Sequence, residues 1–240
     1  MPYHGKKIVV VMPAFNAAKT LRACYEALPK DWVDEVILVD DASRDNTMAV
    51  ASKLPIITHR HEQNRGYGGN QKTCYRLAQK RGADVIVMVH PDHQYDPKFI
   101  PEMIKYIVDE QFGAVFGSRM MVRKNALSGG MPKWKFFFNI ILTKVGNWTL
   151  GTTLTEFHSG FRAYDQAIFQ TIDISKNSDD FIFDTQIIIQ LVKSKIRIKE
   201  IPITTRYFPE ASQIRLGPSV IYGSSFLQNL FLYKTGLRKY

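Results

Sequence analysis

The segment Met88-Val89-His90-Pro91-Asp92-His93-Gln94-Tyr95-Asp96-Pro97 follows the apolar run Val85-Ile86-Val87. It places His90, Asp92, His93, Gln94 and Asp96 within seven positions. Five polar groups at a strand's end look like a site, although a metal-phosphate site would be expected to carry a carboxylate where His90 stands, and His90 with Pro91 could equally just shape the loop. Four further clusters carry chemistry of their own. The carboxylates of Asp40-Asp41 could accept hydrogen bonds from a base N–H or ribose hydroxyls. Equally, Asp41, Ser43 and Asp45 could cap the helix that follows. Asn64-Arg65-Gly66-Tyr67-Gly68-Gly69 is a turn with three glycines entering a helix, a place where backbone approaches a ligand closely and a helix N-terminus favours anions. A plain glycine turn would look the same. In Thr155-Glu156-Phe157-His158-Ser159-Gly160-Phe161-Arg162, Glu156 could serve as a general base or hold sugar hydroxyls. Arg162 reads as a buried ion-pair anchor or as a phosphate contact. Arg119, Arg123, Lys124, Lys133 and Lys135 surround the glycine-containing stretch 128–130. They suit an anionic acceptor or, more simply, a solvated face.

Elements must hold these groups together. Residues 7–12, 36–39, 56–59 and 85–89 are short β-branched or apolar strands. They alternate with helical patterns over 17–28, 45–54, 69–81 and 97–109, with Pro97 at a helix start. Continuous apolar strands alternating with helices predict a parallel sheet covered on both faces. Ligands bind such sheets beyond the carboxyl ends of the strands, which is where Pro13–Asn16, Asp40-Asp41, Asn64–Gly68 and His90–Gln94 fall. The second half predicts strands at 115–118, 159–164 and 196–204. It also predicts helices at 135–150, 181–193 and 219–233, with 119–132 as a basic loop.

The 240-residue chain has 45% hydrophobic and 22% charged residues, enough for one sizeable core. We read one domain: a nucleotide-binding half over 1–118, an acceptor-binding half over 119–215 and a C-terminal amphipathic helix over 216–240. No apolar stretch reaches the ~18–20 residues of a membrane span. Cys24 and Cys74 lack metal or redox spacing and read as buried thiols in a reducing, cytoplasmic setting. A net charge of +10 favours an anionic partner. The chain lacks zinc-finger spacing, an RNP motif and a long basic run, so nucleic acid is excluded as that partner. Neither GxGxxG nor a P-loop is present.

In this order, VVVMPAFN, DEVILVDDASRDNT, NRGYGG, HPDHQYDP, GSR (117–119) and TEFHSGFRAY resemble glycosyltransferase family 2, with its GT-A fold. The likeness is strongest to the dolichol- and polyprenyl-phosphate mannosyl- and glucosyltransferases, and it runs over about residues 8–212. It implies an α/β GT-A fold and an inverting hexosyl transfer from a UDP- or GDP-linked sugar to a lipid phosphate or a glycan hydroxyl. Pro13, Phe15, Asn16, Asp40, Asp41, Asn64, Gly66, Gly68 and His90 would bind the nucleotide-sugar. Asp92, Gln94 and His90 would hold Mn2+ or Mg2+, with Asp92 and Glu156 catalytic. Arg119, His158, Arg162, Arg206 and Ser212 would meet the acceptor or a phosphate. The chain departs from the family in three places: His90 and Glu156 each stand where Asp is usual, and Gln213 where Lys is usual, with Arg215 nearby. A non-catalytic nucleotide-sugar or lipid-phosphate binder is the rival, weakened by the retained Asp40, Asp92 and Gln94. A nucleotidyltransferase is disfavoured because the first strand lacks that group's glycine-rich Thr-Arg loop. The 219–233 helix could lie at the cytoplasmic membrane face or pack on the core. The oligomeric state stays open.

Overall fold

The computed structural model describes residues 3–205 and 216–238. Its seven-stranded sheet is made of β1 (Ile8–Ala14), β2 (Glu35–Asp40), β3 (Ile57–Arg60), β4 (Val85–Met88), β5 (Ala114–Ser118), β6 (Arg162–Asp165) and β7 (Ile198–Pro202). The spatial order is β3-β2-β1-β4-β6-β5-β7. All pairings are parallel except those of β6, which runs antiparallel to both β4 and β5.

The β-branched run Ile8-Val9-Val10-Val11 fits the central strand because both faces of β1 are covered, and every residue of β1 is buried. Val9, Val11, Ile37, Val39, Ile86 and Met88 point into one core layer. Ile8, Val10, Met12, Leu38, Val85 and Val87 point into the other. The helices are α1 (Leu21–Glu26), α2 (Thr47–Ala51), α3 (Gly66–Lys80), α4 (Ile100–Val108), α5 (Arg123–Ser128), α6 (Lys133–Leu150), α7 (Ile168–Thr171), α8 (Phe183–Lys193) and α9 (Leu216–Lys234). One layer holds α1 and α4 through Leu21, Cys24, Met103 and Ile104. The other holds α3, α6, α8 and α9 through Cys74, Leu142, Ile187 and Phe226.

Several elements differ from the sequence reading. The stretch 119–132 is not all loop, since it contains α5. The helix expected over 17–28 shortens to α1, because residues 17–20 form a turn closed by Thr20 N–H to Ala17 O. Asp45 does open α2, accepting from Thr47 N–H at 2.9 Å and Ala18 N–H at 3.0 Å. The N-cap position itself is Asn46, whose side chain makes no cap bond. Asp96 accepts from Lys98 N–H, with Pro97 heading a short 3-10 turn before α4.

The sheet changes direction of growth at β1, with β2 on one side and β4 on the other. Such a switch opens a crevice at the carboxyl ends of the two strands, and the polar clusters gather there.

Candidate active site

A cavity of about 560 Å³ lies over those strand ends. Of the site residues expected from the sequence, Pro13, Phe15, Asp41, Asn64, Gly66, His90, Asp92, Gln94, Arg119 and His158 line it. Asn16, Asp40, Gly68, Glu156 and Arg162 do not, and Arg206 and Ser212 lie outside the described residues.

At the nucleotide end, Phe15 is exposed over the rim and Asp41 is buried. Asp41 Oδ1 lies 2.7 Å from His61 Nδ1 and accepts from Arg65 N–H at 2.8 Å, while Oδ2 accepts from Gly66 N–H at 3.1 Å. Asp41 is therefore the resident anion at the head of α3. The next amides, Gly68 and Gly69, donate to Asp179 O at 2.6 and 3.3 Å. This corrects the phosphate-cradle expectation: the helix end is already occupied by protein. The glycines admit the 178–179 backbone, since a Cβ on Gly68 would stand 2.4 Å from Ser178 O. Asp40 is fully buried beneath, accepting from Ser43 N–H at 3.2 Å and paired with Arg60 at 3.3 Å. Asn16, at φ 54°, knits the β1 turn to residues 43 and 44 through Ser43 Oγ and Arg44 N–H.

At the centre, Asp92 Oδ1 accepts from Gln94 N–H at 3.0 Å, which fixes the turn carrying both side chains. The His90 ring stacks on Tyr67 with centroids 5.4 Å apart and planes 5° apart. Tyr67 donates to Asp184 Oδ2 at 2.7 Å, so its oxygen can accept from His90 Nε2–H at 3.3 Å. That tautomer leaves the ring's lone pair on Nδ1. Burial pushes the His90 pKa below its ordinary value, against the pull of Asp92 and Asp184, so the ring is neutral at neutral pH. Among the described residues no group of three His, Cys, Asp or Glu could hold a metal ion by itself. Asp92, Gln94 and neutral His90 offer the oxygens and the imidazole nitrogen that a divalent cation accepts.

The far end is walled by α6, α9 and residues 119–131. Arg119 donates through Nε to Glu156 Oε1 at 2.8 Å and through its backbone N–H to Oε2 at 2.7 Å. Its second guanidinium nitrogen also closes on Oε1, and Asn139 Nδ2 donates to the same oxygen at 2.8 Å. Burial pushes the Glu156 pKa up, but Arg119 and these hydrogen bonds outweigh it and hold the carboxyl below its ordinary range. A saturated carboxylate behind Arg119, outside the cavity wall, is badly placed as a general base. Its position corrects that expectation to one of holding Arg119.

Lys135 lines the cavity beside Arg119. Burial first, and the Arg119 charge second, push its pKa down, an arrangement that an incoming anion would relieve. His158 Nδ1 lies 2.7 Å from Tyr222 Oη, and its buried Nε2 has no hydrogen-bond partner among the described residues. Arg162 is a buried anchor: it donates to Ser159 O, Phe157 O and Asp184 O at 2.8, 3.0 and 3.1 Å, shaping the 157–162 segment from behind.

Asp184, Tyr222 and Trp134 also line the cavity and were not singled out from the sequence, whereas Lys135 comes from the basic group read as suiting an anionic acceptor and Tyr67 from the glycine turn. The available signal was Asp184 itself. A carboxylate inside the apolar run Ile182-Phe183-Asp184-Thr185-Gln186-Ile187 needs a buried partner, and Arg162 supplies one at 3.7 Å.

Comparison with known proteins agrees with this geometry. The family described as Glycosyl transferase family 2 matches residues 9–173. An uncharacterized protein of Methanocaldococcus jannaschii is 33% identical over 228 residues, covering 95% of this chain and 92% of that one. The UDP-N-acetylglucosamine–dolichyl-phosphate N-acetylglucosaminyltransferase of Methanococcus voltae is 29% identical over 248 residues, with coverage of 96% and 97%. The undecaprenyl-phosphate mannosyltransferase of Micrococcus luteus is 26% identical over 217 residues, with coverage of 82% and 83%. Among solved structures, glucosyl-3-phosphoglycerate synthase of Mycobacterium tuberculosis, in complex with Mn2+, UDP-glucose and phosphoglyceric acid, superposes with a TM-score of 0.75 at 17% identity. That match spans 98% of this chain and 82% of the other and is a likeness of fold. With the strand-end clusters assembled in one cavity and the family matched over most of its length, the chain belongs to glycosyl transferase family 2, an enzyme of GT-A fold.

Proposed function

We propose that the protein transfers a hexose, with inversion, from a UDP- or GDP-linked sugar to the phosphate of a polyprenyl lipid. The observation that carries this reading is the cavity's polarity. One end presents Asp41 and Asn64, with Asp92 and Gln94 at the centre, while the other sets Arg119 and Lys135 beside Met131, Trp134, Phe138 and Leu142. Cations next to an apolar wall suit a phosphate that carries a hydrocarbon chain. The relatives named for dolichyl- and undecaprenyl-phosphate support the same choice.

In the proposed reaction an acceptor phosphate oxygen attacks the anomeric carbon from the face opposite the nucleotide. The bond from that carbon to the diphosphate oxygen breaks, and the nucleoside diphosphate departs with the electron pair. A phosphate oxygen is already a nucleophile and needs no proton removed. That is compatible with Glu156 being committed to Arg119. Arg119 and Lys135 hold the acceptor anion, and Asp41 with Asn64 orients the nucleoside. A divalent cation held by Asp92 and Gln94, with His90 contributing neutral nitrogen, would neutralise charge on the leaving diphosphate.

The test is a thermal-shift panel of UDP-, GDP- and dTDP-sugars with and without Mn2+, followed by transfer of the stabilising donor's sugar to undecaprenyl phosphate. One donor is expected to stabilise the protein and to be consumed, and Asp92→Ala to lower turnover at least a hundredfold. If no nucleotide shifts the melting temperature, the reading fails. A shift without turnover of donor would instead identify a binding protein.

A further inference from the structure

Helices α6 and α9 pack side by side. A Cβ on Gly146 would lie 3.1 Å from Phe226, one on Gly223 would lie 2.7 Å from Phe138, and Lys234 Nζ sits 3.6 Å over the Trp148 ring. Both helices bury one face in the same core layer, through Leu142, Leu150, Phe226 and Leu230. Their other faces remain apolar. Phe137, Ile141 and Trp148 share one stripe of α6 and are 62%, 57% and 74% exposed. Val220, Leu227 and Phe231 share one stripe of α9 and are 57%, 47% and 61% exposed. Large rings and aliphatic side chains at such exposure, repeated along two adjacent helices, mark an interaction surface.

Charge identifies the partner. Residues 120–155 contain five Lys or Arg and no Asp or Glu, and residues 216–240 contain three and none. These eight of the 32 basic residues leave 24 basic against 22 acidic residues in the rest of the chain, where Arg119 is paired with Glu156. Most of the +10 net charge therefore resides in the two segments that carry the apolar stripes. An isologous contact with a second copy would press this basic face against itself. An anionic surface with an apolar interior complements both features at once.

We infer that the α6–α9 face docks on an anionic membrane surface, laying Phe137, Ile141, Trp148 and Phe231 into the headgroup boundary. The same two helices wall the cavity with Trp134 and Phe138 from α6 and Tyr222 from α9. Docking in this orientation brings the cationic end of the cavity to the membrane, where a lipid phosphate would enter while its chain stays among the acyl chains. That consequence rests on the functional reading above, whereas the docking face stands on exposure and charge alone. No described helix is long and apolar enough to cross a membrane, so these helices contribute a face rather than a span.

The test is co-sedimentation of the full chain with phosphatidylcholine vesicles and with vesicles of phosphatidylcholine mixed with phosphatidylglycerol, at low and high salt. The wild type is expected to partition onto the anionic vesicles and to be released by salt, each basic residue near the surface adding about fivefold. The triple variant Phe137→Ser/Ile141→Ser/Trp148→Ser should lose partitioning more than tenfold. Lys144→Glu/Lys234→Glu should lose it on the anionic vesicles and leave any weak binding to phosphatidylcholine unchanged. Absence of vesicle binding by the wild type would overturn the proposal. So would a dimer by light scattering that the triple variant converts to monomer. Nucleotide-induced thermal shifts, read in parallel, separate the two ideas. Shifts without vesicle binding defeat the docking face alone, and vesicle binding without shifts defeats only the functional reading.

Discussion

His158 is half-buried with its Nε2 covered, and burial depresses its pKa to about 4, further lowered by Arg119 and Arg162 against the opposing pull of Glu156. Because the folded chain resists a proton that the unfolded chain accepts near pH 6.5, His158 costs stability as pH falls from about 6.5 toward 4. Replacing it by Gln removes that titration. Urea midpoints measured from pH 7 to pH 4.5 should therefore fall more steeply for the wild type than for His158→Gln. Parallel curves would refute the assignment. Legibility at this scale follows what a residue type can and cannot imply. Asp92 and Gln94 follow a strand directly, so their place on the cavity wall is legible from strand position, and the resemblance supplies the role expected of them. Glu156 is not, since a carboxylate written into a strand-end motif looks the same whether it faces a substrate or a guanidinium. Its partner Arg119 lies 37 positions earlier, and only the fold joins them. Arg162 is the converse case, readable as a buried ion-pair anchor that meets Asp184 at 3.7 Å, while its three backbone carbonyl acceptors leave no trace in side-chain pattern.

The turn into α3 illustrates how an element can be recognised correctly and its purpose misjudged. Three glycines before a helix announce close approach, and the sequence cannot say of what. Here the visitor is the 178–179 backbone, packed onto Gly66, Gly68 and Gly69. A methyl group at Gly68 would meet Ser178 O at 2.4 Å and Phe183 Cβ at 2.8 Å, both on segments held by further bonds. We expect Gly68→Ala to cost about 2–3 kcal/mol by forced overpacking. Gly217→Ala, with nothing among the described residues within 4 Å, should be about neutral, the helix-propensity gain of Ala being offset by the Pro218 that follows. Denaturant midpoints of the two variants check the contrast, and equal destabilisation would show that the glycines are needed for backbone freedom instead. The same limit explains α5, hidden in 119–132. Its short run Arg123–Ser128 buries Ala126 against Met120 and Met131, too few positions for a helical period to emerge from sequence.

At the scale of the whole molecule, the alternation of strands and helices is legible through β4, because each parallel crossover writes its own apolar run and helix. Beyond that, β6 enters between β4 and β5 antiparallel to both, and no local pattern encodes a strand's insertion between two distant ones. That insertion brings residues 156–162 to the edge of a cavity begun by β1, β2 and β4, so the site is shared by both halves of the chain. On the proposed reading, the cation is held by Asp92, Gln94 and His90 together with the donor's diphosphate. Cation and nucleotide should therefore bind cooperatively, each supplying oxygen ligands or charge that the other lacks, with reciprocal coupling. Thermal or urea unfolding should show little change with Mn2+ alone and a modest gain with the donor's nucleoside diphosphate alone. Both together at about a hundredfold over their joint Kd should give about 2.7 kcal/mol. Chelation with EDTA should return the protein to the nucleotide-alone curve. Strong stabilisation by Mn2+ without nucleotide would mean that the protein completes the cation shell unaided, through side chains that rearrange on binding, and would refute a cation site shared with the diphosphate.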